Sequence, residues 1–465
     1  MLLDPPAPKD VELEALASGI FARVAPELIL EITSTLDIQD FLRLCRHCKR
    51  LWRLLPARLS TEKRPLKMDP SSRSTLDLLP SPCTMEKFLR RVRVTPLEET
   101  DGSGTVIRNV PRRNLPFEMV CCRFLQRLPS LRVLHFHNVN FDPVAVDSEL
   151  FEALSIALKG VTDLSIDGDA RGFPLHILAN CSKIKTIELD LRCLVVNAAG
   201  TSPSKWLLEQ YGPTASPTTL RLHHGDDVGL GRFGKIFTMQ PAKFSLRMLR
   251  TLQLEYREIA PFTREDLARC RPGDFIPPVS WDGLSSTTKL AGIVLRNTGE
   301  TLEKLVMMVE LLDKGNSFVS TEDMAGICNL RALNVFLFVR PSYLGTKQPP
   351  KDCWLETLLE SLPSTKKLED LRIRYTVHLE ANDDEEAVLR TIQTAMCRSL
   401  DPLLFGNGKF LHIGTFEFGI NLFKKGETLT MDLPRHFMEF FPSIGTRGPD
   451  LDYSIDVTVH PFREV

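Results

Sequence analysis

From Leu131 onward one short phrase keeps returning: an apolar residue, two others, an apolar residue, one other, and an apolar residue. It reads Leu131, Leu134, Phe136; Val161, Leu164, Ile166; Ile184, Ile187, Leu189; Leu249, Leu252, Leu254; Leu290, Ile293, Leu295; Leu330, Leu333, Val335; Leu368, Leu371, Ile373; and Ile413, Phe416, Phe418. Leu220 and Leu222 form a half-match in the longest early gap, and the starts fall 23 to 45 residues apart. Apolar residues two apart share one face of a strand. Helical stretches precede most copies, at 119–128, 150–158, 175–179 and 354–362. Each strand and each helix alone exposes an apolar face, and stacking neighbours buries all of these faces at once. The expected architecture is α/β, an irregular solenoid of degenerate repeats. A plain sandwich of alternating helices and strands is the other arrangement this pattern permits.

Composition bounds the function. At ~150 residues per domain, 465 residues allow about three domains, or one domain and a long array. With 43% hydrophobic and 25% charged residues, the chain is neither disordered, collagenous nor membrane-spanning. Lys and Arg total 58 against 59 Asp and Glu, so net charge gives no reason to expect nucleic acid or an anionic membrane as partner. The longest apolar runs, such as Leu333 to Val339, are far shorter than the ~18 residues of a spanning helix. The N-terminus has no basic segment followed by an apolar core, so a secretory signal is not expected. A soluble protein, cytoplasmic and/or nuclear, is the expectation. Eleven cysteines lack disulfide-framework spacing and read as reduced thiols. Cys328, before Leu330, reads as a small buried hydrophobe.

The N-terminal text differs from the array. Pro26 suits the first turn of a helix, where its missing N–H would be unpaired, and Glu27 complements the positive end of the helix dipole. Leu28, Ile32 and Leu36 then recur four apart, on one face. Asp37 can cap a following helix, with Asp40 in its first turn. Phe41, Leu44, Cys48, Leu51 and Leu55 continue an apolar stripe by steps of three and four, with Arg43, Arg46, Lys49, Arg50 and Arg53 on the other sides. Fewer than ~40 residues seldom sustain a core unaided, so this module is expected to dock onto something. The stripe could also begin a helical cap of the larger domain.

At Val24-Ala25-Pro26-Glu27-Leu28, Ile32, Leu36, Asp40-Phe41, Leu44 and Cys48-Lys49-Arg50-Leu51-Trp52 the chain resembles the F-box. It departs from that pattern in Val24 where Leu is preferred, Ala25 where Pro is preferred, and Phe41 where Leu is preferred. The resemblance implies three helices within residues 20–60 that dock to a Skp-type adaptor and through it to a cullin. Pro26, Glu27, Leu28, Ile32, Leu36, Phe41, Leu51 and Trp52 are the implied contacts. Residues 61–117, rich in Pro, Ser and Gly with one helical or strand-like piece at 85–94, read as a connector. Residues 118–465 resemble the strand segments of leucine-rich repeats, LxxLxL, as in F-box proteins with irregular repeats. The Asn that follows the strand in that family survives only as Asn138 and Asn297. Together the two resemblances imply a substrate-recognition subunit of an SCF-type E3 ubiquitin ligase. The alternative is a leucine-rich-repeat interaction scaffold acting without ubiquitin transfer.

Outward-facing candidates are the residues between apolar positions: Arg132, His135 and His137; Lys185, Thr186 and Glu188; Arg250, Gln253, Glu255 and Arg257; Arg331, Glu369, Arg372 and Arg374. Mixed polarity with several Arg suits protein recognition. Which of these bind a target is unknown from sequence, and a solvated strand face explains any one of them.

Chemical motifs fare poorly. Gly229 to Lys235 satisfies GxxxxGK, but Ile236 stands where a magnesium-holding Ser or Thr belongs. His223-His224 with Asp226-Asp227, and Cys45-x-His47-Cys48, lack a second pair at metal-site spacing. His135 and His137 share a strand face, as residues two apart must, and lone pairs of this kind are usually surface or satisfied core groups. Asp383 to Glu386 reads as a solvated helix cap before 387–396. No catalytic residue, no cofactor and no metal is expected; the chain reads as a binding protein and not an enzyme.

Overall fold

The computed structural model describes residues 24–61, 66–68, 89–95, 124–141, 148–195, 215–225, 244–256, 295–311, 324–339, 354–363, 367–379, 384–406, 409–425, 440–447 and 451–462, isolated positions within these ranges aside. The chain divides into two compact units, Met1–Ala215 with Gln240–Phe244, and Ser216–Met239 with Ser245–Val465.

The first described elements of this unit are three helices, α1 (Pro26–Thr33), α2 (Ile38–His47) and α3 (Lys49–Thr61). Pro26 sits in the first turn of α1 with Glu27 beside it, as their chemistry dictates. The core of this bundle consists of Ile29 from α1, Phe41, Leu42 and Cys45 from α2, Cys48 at the junction, and Leu51 and Leu55 from α3. Burying each large apolar side chain contributes about 1.5–3 kcal/mol. Two arginines of α3 then tie down both ends of α1. Arg50 Nη2 donates to Val24 O at 2.6 Å, and buried Arg58 Nη2 donates to Ser34 O and Leu36 O at 3.3 and 3.2 Å. A cation at the C-terminal carbonyls also suits the helix dipole. The basic stripe is therefore partly structural: Arg50 is spent inside the module.

Two expectations are corrected here. The apolar stripe from Phe41 to Leu55 does not run along one helix, because the chain breaks at Cys48, whose N–H donates to Cys45 O at 3.4 Å. Nor do Leu28, Ile32 and Leu36 form one helical face: α1 stops at Thr33 and Leu36 lies in the following turn. Asp37 lies outside the described residues.

Five strands follow in the same unit, β1 (Leu66–Met68), β2 (Arg91–Val94), β3 (Val133–His137), β4 (Asp163–Asp167) and β6 (Thr186–Asp190). They pair in that order and all in parallel. Helix α4 (Ser148–Leu158) connects β3 to β4. Short strands β5 (Phe173–Pro174) and β7 (Leu194–Val195) pair separately, also in parallel. The strand-like piece expected at 85–94 is β2, and β1 lies beside it. Most of the remaining connector lies outside the described residues.

Among the described residues the second unit has seven strands: β8 (Thr219–Gly225), β9 (Thr251–Tyr256), β10 (Lys304–Leu311), β11 (Ala332–Val339), β12 (Asp370–Leu379), β13 (Thr415–Lys425) and β14 (Asp452–Phe462). Each pairs in parallel with the next. Helices α5 (Trp354–Ser361) and α6 (Glu385–Ile392) lie between strands β11 and β13 in sequence. Asp384 caps α6 by accepting from Glu386 N and Ala387 N, the solvated cap expected of the acidic run. An edge-to-face cluster of Phe405, Phe416, Phe418 and Phe441 fills the end of this core, and buried Asp401 holds Ser443 through its N–H and hydroxyl. The architecture is α/β, built on parallel strands.

Most of the described strands are approached in the same way: the carbonyl just before one strand accepts the two successive N–H groups that lead into the next. Arg132 O accepts from Thr162 and Asp163, and Thr162 O from Lys185 and Thr186. In the second unit Arg250 O accepts from Glu303 and Lys304, Glu303 O from Arg331 and Ala332, and Arg331 O from Glu369 and Asp370. A tight turn often precedes it, as when Leu131, Val161, Ile184, Leu249 and Ile413 donate to the carbonyls of Leu128, Leu158, Cys181, Leu246 and Phe410. The repeating apolar phrase is buried in seven of its eight expected copies, from Leu131, Leu134 and Phe136 to Ile413, Phe416 and Phe418.

The copy at Leu290, Ile293 and Leu295 is the exception. Leu295 is helical, the first two lie outside the described residues, and the strand comes later, with Leu302, Leu305 and Met307 as its buried phrase. Spacings of three also suit a helix, so the phrase alone could not choose between them. Cys328 is exposed rather than buried: Ile327 and Leu330 take the inward positions around it. No helix among the described residues is long and apolar enough to cross a membrane.

Candidate functional site

Three surfaces carry unspent chemistry. The first is on α1. Ile29 and Thr33, four apart, turn inward, and Thr33 Oγ1 satisfies itself on Ile29 O at 2.7 Å. That leaves Leu28 and Ile32, also four apart, on the opposite side, 51% and 59% exposed. Pro26 and Glu27 are exposed beside them, and Leu44 of α2 is a further exposed apolar residue. Of the implied adaptor contacts, these surface ones are accessible and Leu36 is half-buried. Phe41 and Leu51 are corrected: both are fully buried in the bundle, where they hold the helices together and cannot meet a partner directly. The side chain of Trp52 lies outside the described residues.

The second surface is the outward side of strands β8 to β13. Parallel pairing aligns Gln253, Val306, Asn334, Arg372 and Glu417 in one row, and Glu255, Met308, Phe336, Arg374 and Gly419 in the next. Val306, Met308, Phe336 and Phe338 are half-exposed, so the middle of this face is apolar while β12 supplies charge. Arg372 reaches Asp370 at 3.1 Å and Glu417 at 3.3 Å. Arg374 is exposed and lies across Gly419, where a Cβ would approach its Nε to 2.9 Å. Asn334 Oδ1 is buried and has no hydrogen-bond partner among the described residues. Sequence reasoning found Gln253, Arg372 and Arg374 but missed the apolar centre, because it treated apolar residues as core. The signal was present: β11 is apolar at both parities. Glu255 is corrected from outward to buried, being paired with His223 Nδ1 at 2.9 Å. Arg132 is also bound up, donating to Leu131 O and Gly160 O. Arg257, Asn297, Asp226, Asp227 and the Gly229–Lys235 loop lie outside the described residues.

The third is on β3 and β4. His135 and His137 project from the same side of β3, and the register sets Asp167 of β4 beside His137. Asp167 Oδ1 lies 2.6 Å from His137 Nδ1, and Oδ2 lies 2.9 Å from His135 Nε2. Burial works to raise the Asp167 pKa, but the close polar contacts and charges of His135 and His137 outweigh it and bring the carboxyl down to about 2. Both strands then turn off through left-handed residues, Asn138 at φ 57° and Gly168 at φ 71°. Asn138 N–H donates to Asp167 O at 3.2 Å, which closes the corner. A side chain at Gly168 would collide with Asn138 Oδ1, so glycine is required there. Sequence reading had the two histidines and missed Asp167, thirty residues on. Yet His137 and Asp167 both stand six places after the start of their copies of the phrase.

The other thiol candidates are packing groups. Burial, with a smaller push from Cys48, raises the Cys45 thiol to about 12, and burial alone raises Cys181 to about 12. Such thiols are neither nucleophiles nor ready metal ligands.

No family model matches the chain, and no curated protein matches it. Among solved structures, it is similar to a chain in the crystal structure of a TLR13–ssRNA13 complex, at 10% identity and a TM-score of 0.31. The match covers 82% of this chain and 42% of the other, so the present chain spans less than half the length of that relative.

Proposed function

We propose that this chain is the substrate-recognition subunit of an SCF-type E3 ubiquitin ligase, with an F-box-like helical module and an irregular leucine-rich-repeat-like solenoid. What carries the reading is α1: its inner side is already covered by α3, yet Leu28 and Ile32 stay open to solvent. Two large apolar side chains on one helix turn, flanked by Pro26 and Glu27, are what a partner's apolar groove would cover. Burial of such residues supplies about 25 cal/mol per Å², and apolar anchors of this kind carry the binding energy of interfaces. The shared strand approach and buried phrase support a repeat array whose outward side holds a target protein, with Phe336, Phe338 and Arg374 the foremost candidates. The chain makes and breaks no bond. It raises the effective concentration of a target beside the ubiquitin-loaded enzyme.

Co-expression of the full chain with a Skp-type adaptor and a cullin tests this. All three should purify together, and Leu28→Asp with Ile32→Asp should release the adaptor while circular dichroism stays unchanged. Failure of the unmutated chain to hold the adaptor refutes the reading. An adaptor held without a cullin would instead favour a scaffold acting without ubiquitin transfer.

A further inference from the structure

We infer that His135, His137 and Asp167 form a binding site for one divalent first-row transition-metal ion, with Zn2+ as the reference ion. Their donor atoms lie within 4.8 Å of one another on two adjacent strands. Two imidazole nitrogens and a carboxylate oxygen with open positions beside them are the donor set that such ions take in three-ligand sites, the remainder being filled by water. The side chains are 20%, 27% and 37% exposed, so an ion can enter from the outward side and keep water ligands there.

A second observation separates this from a carboxylate merely shared between two histidines. His135 Nε2 is buried and makes no directed hydrogen bond, although Asp167 Oδ2 is only 2.9 Å away. The contact is close but misaligned, so the two atoms satisfy charge without satisfying direction. Around a tetrahedral ion with bonds of ~2.0–2.2 Å the donors stand about 3.3–3.6 Å apart, so binding opens the present contacts of 2.6 and 2.9 Å by up to about 1 Å, with all three donor atoms already within 4.8 Å of one another. The corner made by Asn138 and Gly168 fixes the backbone while half-exposed side chains adjust. Once bound, the ion cross-links β3 to β4 and stabilises the native state by mass action. This inference stands independently of the ligase reading.

The test uses the full chain without an affinity tag, freed of metal by chelation and then titrated with Zn2+ by calorimetry. One equivalent should bind, raise the melting temperature, and protect His135 and His137 from diethylpyrocarbonate as mapped by mass spectrometry. His137→Gln and Asp167→Asn should each weaken binding by about tenfold or more, since even outer partners of a metal site have effects of that size. Absence of binding, or binding that either folded variant retains within that factor, overturns the inference. If the variants fail to fold, the protection experiment on the unaltered chain decides: histidines that react equally with and without Zn2+ overturn it.

Discussion

The two strand arrays have the same inside and different outsides. In the first unit, β3 and β4, five residues each, bury Leu134, Phe136, Leu164 and Ile166, and their outward positions are mostly polar, with His135, Asp167 and His137 in contact. In the second, the described strands run from six to eleven residues, bury the same kinds of side chain, and set Met308, Phe336 and Phe338 outward beside Arg374. The shared phrase fixes how a strand is buried and says nothing about its other face. The outward chemistry therefore varies from strand to strand while the packing does not.

Four substitutions and one chemical modification probe that contrast. The largest effect belongs to the shared inside: Leu164→Ala and Leu333→Ala, both fully buried, should each cost about 2–5 kcal/mol in denaturant unfolding. A small loss at one and a large loss at the other would break the equivalence of the two cores. The outward positions of the second array come next. Phe336→Ala and Phe338→Ala should each cost less than about 2 kcal/mol, because these half-exposed rings leave no closed cavity. Losses as large as at Leu333 would make this face core and remove it as a target surface. The smallest effect is chemical. At pH 8 Cys328 should be alkylated in the native chain while Cys45 and Cys181, raised to about 12 by burial and hence protonated, stay unmodified in peptide maps. Rapid modification of Cys181 would show that the first array opens.

The inside was readable because one physical requirement, burial of alternate strand residues, repeats at every copy. It misled at Leu290, Ile293 and Leu295, where a three-residue step is equally helical and Met307 disguised the true copy. In the N-terminal module the apolar residues were legible but not their partition: Ile29 faces inward with Phe41 and Leu51, while Leu28 and Ile32 face out. A run of neighbouring apolar residues on an eight-residue helix does not say which side has a partner within the chain. Asp167 was hidden because parallel pairing joins residues distant in sequence, and only the repeat offset relates them.

The docking claim rests on location, since exposed apolar residues also occur elsewhere, at Met248 (53% exposed) and Leu411 (61% exposed). The direct measurement is the affinity of the full chain for a purified Skp-type adaptor, compared between Leu28→Asp with Ile32→Asp and Met248→Asp with Leu411→Asp. Loss of binding in the first pair and unchanged binding in the second is the predicted result; equal affinity in both, or equal loss in both, would contradict it.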